Sequence, residues 1–480
     1  MGMMLAGWLV AGAIGAQGLP PTTPPPTPRP VLRPQEVRPL PGGLDAVPVV
    51  NSNSPEVVQQ EGILLSTFPG AGMATPTAHL NRAFQGRFDV FAHHIARAES
   101  PGPGQPIDLR SLYVGIVLGN ADPDRPATVR VLQGASYLSQ PDAPFIALPS
   151  IVDTPSGTVY AGPGSRAVDE VLRGRRQASL PDRVTIPPGG MVVLTGLPIP
   201  VRSLNPPLNG RSTLLRLDSD RPVYAATLAL FGRSNPEDPN DTEQPPSDQD
   251  WRSILVAGGL AGPREQAPTA PGERGSLRYG RVAGVAIGSR WRAMLTDGPQ
   301  ASRLSIPATG AALSYGISTL VAGQLGTGQI QTAPMAAYYP DTAWAAHGNY
   351  GIEYDLTLPL HNPTDRPQRV AIALETPIKF DAPASGLQFF EPLPTAVFFR
   401  GTARIRYPDD RGLPQTRYVH LVQRRGQAGD PLAVVTLPPK GDRLVQVNLI
   451  YPPDATPPQT LTLKTLTDEP IQDQPAGNGP

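Results

Sequence analysis

The chain has 480 residues, with 40 Lys and Arg balanced by 40 Asp and Glu, so its formal net charge is zero. A neutral chain exerts no general pull on nucleic acid or on an anionic membrane. Cysteine is absent, which excludes disulfides, thiolate catalysis, iron–sulfur clusters and cysteine-type zinc sites. The 62 prolines and 49 glycines leave few windows long enough for a helix, and the apolar residues fall in short runs.

Residues 3–16, MMLAGWLVAGAIGA, form an uncharged apolar run of signal-peptide length, with Ala16 a plausible residue before cleavage. The run is too short to span a bilayer, and no membrane span is expected in the mature chain. No basic residue precedes it, the first being Arg29, which points to a start further upstream or to a weak signal. Residues 17–41 include LPPTTPPPTPRPVLRP, read as an extended polyproline tether that neither packs nor pairs. A first β domain is expected over 42–260, a connector over 261–275, a second β domain over 276–467 and a disordered tail over 468–480. The acidic, proline-broken stretch Arg233 to Asp250 also reads as disordered. Two short basic spots, RGRRQ (Arg173 to Gln177) and QRRGQ (Gln423 to Gln427), read as solvated loop charge.

Strand patterns recur at LYVGIVL (Leu112 to Leu118), TVRVLQ (Thr128 to Gln133), VYAATLALF (Val223 to Phe231), RVAIALE (Arg369 to Glu375), ARIRY (Ala403 to Tyr407) and RLVQVNLIY (Arg443 to Tyr451). Each is bounded by turn residues. IVLGNADPDRPATVRVLQ (Ile116 to Gln133) matches LPLHNPTDRPQRVAIALE (Leu358 to Glu375), with Asn120 on Asn362 and Arg125-Pro126 on Arg366-Pro367. VTIPPGGMVVL (Val184 to Leu194) matches VTLPPKGDRLVQV (Val435 to Val447), and GRFDVFA (Gly86 to Ala92) is aligned with GNYGIEY (Gly348 to Tyr354). The predicted fold is therefore all-β: two tandem antiparallel, Ig-like β-sandwich domains behind a proline-rich tether, with disordered loops.

Four blocks carry a family resemblance: Arg38 to Pro69, Gly86 to Ile95, AAHGNYGIEYDLTLPLHNPT (Ala345 to Thr364) and PQTRYVHLVQRRGQ (Pro414 to Gln427). Together the chain resembles a cyanobacterial family defined by a domain of unknown function, whose members typically carry an export signal. The resemblance implies a periplasmic or envelope setting and carries no catalytic residue.

Candidate sites come from residue chemistry. Asp89, His93, His94 and Glu99 have ligand-type side chains, but adjacent His93 and His94 on a strand face opposite ways, so no metal is expected. Tyr338, Tyr339 and Trp344, beside Asp341, form a candidate sugar platform, since aromatic faces stack on pyranose rings. HGNYG (His347 to Gly351) is either a turn into the next strand or a pocket rim contributing His347, Asn349 and Tyr350. Glu353 and Asp355 alternate onto one strand face, and Glu375 and Glu391 are further acids that a glycosidase would need in pairs. No P-loop, Gly-x-Ser-x-Gly or His-Glu-x-x-His motif occurs. The expected protein is a non-enzymatic, exported envelope protein without a cofactor, contacting polysaccharide, peptidoglycan or other envelope proteins. The alternative is a carbohydrate-active enzyme with its site around His347 to Asp355.

Overall fold

The structure is a computed structural model and describes residues 26–467 except 101, 103, 105, 235–242 and 274. The apolar run at 3–16 and the tail at 468–480 lie outside the described residues. Strands make up 46% of the chain and helix 5%, so the fold is all-β. Among the described residues the strands fall into four sheets, of twelve, eight, five and two strands.

The eight- and five-stranded sheets face each other across one core. Leu356, Leu358, Val445 and Val447 project from the larger sheet, and Leu313, Ile372, Leu461 and Leu463 from the smaller. In Arg369 to Glu375 and Arg443 to Tyr451, the apolar pattern that marked the strand in the sequence places its side chains in this core. The twelve-stranded sheet is organised by one long strand, Leu208–Phe231. Its first part pairs with Phe84–Arg97 and Ala127–Leu138, and its second with Gly62–Ser66 and Leu112–Asn120. The register breaks between Ser219 and Val223, where Asp220-Arg221-Pro222 interrupts the ladder, because proline has no N–H to contribute.

The two matched turns are built alike. The Nδ2 of Asn120 donates to the carbonyls of Arg125, Ile186 and Pro187 at 2.7, 3.2 and 3.1 Å. Asn362 donates to Arg366, Leu437 and Pro438 at 2.8, 3.2 and 2.9 Å. Each Oδ1 accepts a backbone N–H two residues on, from Asp122 and from Thr364. Gly189 and Lys440 hold the same left-handed position, at φ +56° and +52°. The strands around the clasp pair alike too: Arg183–Ile186 on Ala127–Leu138 and Pro431–Leu437 on Gln368–Glu375. The alignment of Gly86 to Ala92 with Gly348 to Tyr354 is corrected. Phe84–Arg97 pairs with the first part of Leu208–Phe231, as Ala312–Ile317 pairs with Gln459–Thr465, so the counterpart lies at 312–317.

Strand pairing crosses the expected border at 261–275 in both directions. Ala283–Ile287 and Ala333–Tyr338 join the twelve-stranded sheet, the former against Pro48–Ser52. In return Gly43–Leu44, Glu36–Arg38 and Ile151–Asp153 add to the sheets of the other half. The connector itself is pinned by the Arg264–Asp341 and Arg281–Glu265 ion pairs. The tether reading is corrected as well: Arg29–Pro34 pairs with Gly386–Glu391 over six residues. Proline is tolerated there because an edge strand leaves half of its N–H positions unused.

Among the described residues two ten-residue α-helices complete the fold. Helix α1, Pro163–Leu172, starts at Gly162 without a side-chain cap of its own. Asp454, from the other half, accepts the Ser165 N–H at 2.8 Å instead. Val168, Val171 and Leu172 of α1 pack with Phe91, Ile352 and Ile450 into a core shared by the two halves. The stretch expected to be disordered, Arg233 to Asp250, lies outside the described residues at 235–242, and its last three residues open helix α2, Asp248–Ala257. Ser247 and Asp250 form a reciprocal capping box, and Trp251 is buried against Gly115, whose Cβ would lie 2.7 Å from the indole. RGRRQ is only partly solvated, since the Arg173 side chain is buried on Asp169 at 2.7 Å and over the Tyr418 ring at 3.9 Å.

Because strands are exchanged, fragments 26–260 and 276–467 made separately are expected to show no cooperative thermal transition. Mixing them should restore one by circular dichroism. A wild-type melting curve from 276–467 alone would contradict this.

Candidate functional site

The segment 338–355 joins the exchanged strand Ala333–Tyr338 to the central strand Glu353–His361, so its side chains meet both halves. Tyr338 and Tyr339 alternate. Tyr338 is 42% exposed, whereas Tyr339 is 1% exposed in the core of the twelve-stranded sheet. The Tyr339 hydroxyl donates to the Ala78 carbonyl at 2.8 Å and accepts the Ser66 N–H at 3.0 Å, and burial raises its pKa. Asp341 is taken by a bidentate Arg264 at 2.6 and 2.8 Å. Trp344 is half-buried and donates its indole N–H to the Thr269 carbonyl at 3.1 Å.

His347 stands edge-on to Trp344, with ring centroids 4.7 Å apart, and 4.8 Å from Tyr279. It is 6% exposed, and neither ring nitrogen has a hydrogen-bond partner among the described residues. Desolvation lowers its pKa to about 4, so at neutral pH it is an uncharged packing ring. Asn349 is buried at φ +52°. Its Nδ2 donates to the Gln331 carbonyl and the Tyr354 hydroxyl, and its Oδ1 accepts the Ala333 N–H. Tyr350 donates to the Ala455 carbonyl at 3.0 Å and stacks on Tyr451. HGNYG is thus a turn, with the left-handed positions at Asn349 and Gly351 rather than Gly348. The six expected binding residues form no common platform. Tyr338 and Trp344 reach the surface, while Tyr339, His347 and Asn349 are interior.

The two acids of the candidate hydrolytic pair have separate partners. Glu353 is buried, and its Oε2 accepts from Arg216 at 2.7 Å and from Arg290 at 2.9 Å. Desolvation pushes this carboxyl up, but the two guanidiniums outweigh it and hold it below the usual carboxylate range. Asp355 accepts from Asn448 at 2.7 Å. Arg216 also lies 3.9 Å from Asp89, which is bidentate to Arg87. Burial raises the Asp89 carboxyl, and Arg87 and then Arg216 oppose this. Glu375 accepts from Thr462 at 2.6 Å, and Glu391 lies 3.5 Å from Arg33.

The histidine cluster also disperses. His93 bonds Ser212 at 2.7 Å, and His94 bonds Ser52 and the Pro55 carbonyl, both at 2.9 Å. Glu99 accepts from Gln59. No group of three or more such ligands converges among the described residues. Arg216 and Arg290 escaped the sequence reading. For Arg216 the signal was a lone cation inside an apolar strand, LLRLD, which demands a buried partner; Arg290, alternating with Arg292 in SRWRAM, carried no such mark.

By its strands the chain is an all-β protein. It belongs to the DUF3370 family, described as a protein of unknown function, which matches residues 35–465. No curated protein matches the chain significantly.

Glu353→Ala is expected to cost about 3 kcal/mol of stability, read from urea denaturation, because it leaves Arg216 buried without its closest carboxylate. An unchanged midpoint would sink the assignment. For His347 the folded pKa of about 4 lies below the unfolded value, so its stabilising contribution is present above pH 6.5 and is lost as pH falls toward 4. His347→Phe should therefore gain about 2 kcal/mol on wild type between pH 7.5 and pH 5. A pH-independent difference between the two proteins would contradict a buried neutral imidazole.

Proposed function

We propose that this protein is exported to the cell envelope and acts there by surface contact, as two interlocked sandwich units rather than as an enzyme. Its partner is a polysaccharide, a peptidoglycan component or another envelope protein. The observation that carries the reading is the use made of Glu353. The acid best placed for glycosidic chemistry is closed off from solvent and ionised by two arginines, which suits neither a general acid nor a base that must meet substrate. Asp355, the other member of the pair, is engaged by Asn448. His347, the candidate proton carrier, is buried between two rings.

Export rests on the apolar run at 3–16, the proline-rich stretch behind it and the absence of cysteine. No helix among the described residues is long and apolar enough to cross a membrane, which leaves strand-based insertion unaddressed.

Fractionation of the native host, followed by immunoblotting, is expected to place the protein outside the cytoplasm. Purified protein should release no reducing sugar from envelope polysaccharide. A cytoplasmic location would end the export reading, and sugar release abolished by Glu353→Gln at intact stability would replace the contact role with catalysis.

A further inference from the structure

The eight-stranded sheet has a second side. Ile405, Val445, Val447, Leu356 and Leu358 turn into the core, and their neighbours on Val397–Pro408, Asp442–Ile450 and Glu353–His361 turn the other way. The register sets these neighbours in rows across the strands. Arg404, Asn448, Asp355 and Arg292 form one row, and Arg406, Gln446, Thr357 and Met294 the next. Leu444 and Pro359 follow and floor a hollow of about 240 Å³. Helix α1 reaches this side at Arg404, whose Nη1 donates to the Leu172 carbonyl at 3.5 Å. Beyond it the side is open, with Met294 58% and Leu444 51% exposed.

Two arginines on this side are placed by bonds to a single atom. Asn448 Oδ1 accepts from Arg404 Nε and from Arg406 Nη2, each at 3.3 Å, so those nitrogens are no further apart than twice that distance. Asn448 Nδ2 donates to Asp355 at 2.7 Å, and the other oxygen of that carboxylate is 3.9 Å from Arg292. Asn448 is 1% exposed, a fixed spacer between the acid and the arginine pair. Among the described residues no carboxylate forms an ion pair with Arg404 or Arg406, and the buried Arg406 Nε has no acceptor. Arg404 Nη2 and Arg406 Nη1 also bond nothing there, and both keep contact with solvent. Two like charges held this close repel, and an oxyanion across them removes that cost.

We infer that the open side of the eight-stranded sheet binds an acidic polysaccharide, with a sugar carboxylate or sulfate across Arg404 and Arg406 and the chain of sugars lying over Gln446, Thr357 and Leu444. The inference rests on the contact role proposed above and names its partner class. Charge decides the class: the two rows hold Arg292, Arg404 and Arg406 against Asp355 alone, and a neutral glycan would leave the arginine pair unanswered. Gln446 and Thr357 supply the donors and acceptors that ring hydroxyls need, and exposed Met294 and Leu444 supply apolar surface for their CH faces. Strand geometry holds both arginines in place before the ligand arrives, so less freedom is lost on binding.

The test is surface plasmon resonance of the full chain over immobilised polygalacturonate, dextran sulfate and neutral dextran. At least one acidic polymer should bind, with an affinity that falls as salt is added, and neutral dextran should not. Arg406→Gln should weaken that binding about fivefold or more. Gln446→Glu, which only adds a negative charge beside Arg406, should do the same with a melting temperature no lower than wild type, and it decides the matter if Arg406→Gln fails to fold. Arg183→Gln, an equal loss of charge on an exposed strand of the twelve-stranded sheet, should leave binding unchanged. Absence of binding to both acidic polymers, equal binding to neutral dextran, undiminished binding by Gln446→Glu, or an equal loss in Arg183→Gln would each overturn the inference. So would binding to phosphatidylglycerol vesicles in place of the polymers. Failure here with an envelope location intact removes only the acidic sugar, whereas a cytoplasmic location removes the contact role itself.

Discussion

Glu353 and Arg216 form the contact on which the architecture depends. They come from strands 137 residues apart in sequence, and both are buried. A lone buried charge is severely penalised, and a pair is tolerated only when its geometry is fixed and its remaining hydrogen-bonding capacity is met. Arg290 meets that need for Glu353 at 2.9 Å, whereas Asp89, 3.9 Å from Arg216, balances its charge without hydrogen-bonding its Nε. The ion pair therefore dictates one relative placement of the two halves. The apolar cluster around Phe91, Leu214, Ile352 and Ile450 provides the burial that makes this placement favourable. Packing supplies the driving force here, and the charges supply the register.

The exchanged strands follow from the same constraint. Ala283, Val285 and Tyr339 complete the core of the half that precedes them in sequence, and Gly43–Leu44 pairs with Arg290–Met294 of the half that follows. Asp45, next to that short strand, accepts from the backbone and hydroxyl of Ser289, one residue from Arg290. The elements that position Glu353 and Arg290 are thus built partly from residues that lie more than 200 positions away, and neither half contains its own complete core.

Local signals in the sequence were legible where the physics is local. The Asn-to-Arg-Pro turns, the Pro-Pro turns and the strand alternation are set by nearby residues, and each stands where the residue pattern puts it; only the reach of each Asn to a second turn, 66 and 75 residues on, is long-range. What failed was long-range. Pro30 and Pro34 suggested an unpaired tether, yet an edge strand accepts them, and only the partner Gly386–Glu391 reveals the pairing. The aromatic group at Tyr338 to Tyr350 looked like a platform because sequence does not say which alternate side of a strand is covered by another half. Tyr339 and His347 are covered, and Tyr338 is not. The capping box at Ser247 and Asp250 was readable, but a count of prolines and acids across Arg233 to Asp250 obscured the helix that Trp251 and Leu255 anchor.

The repeat also explains where the irregular parts sit. Between Ala127–Leu138 and Arg183–Ile186 the first copy carries a loop and helix α1. At the same point, between Gln368–Glu375 and Pro431–Leu437, the second carries three strands, Gly386–Glu391, Val397–Pro408 and Pro414–Arg424. Each insertion packs on the other. Ile151–Asp153 pairs with Pro414–Arg424, Arg173 covers Tyr418, and Arg400 lies 5.2 Å from the Phe145 centroid. A duplicated frame held by two Asn clasps can keep its core while these paired insertions diverge, because they lengthen connections rather than alter the strands that bury the core.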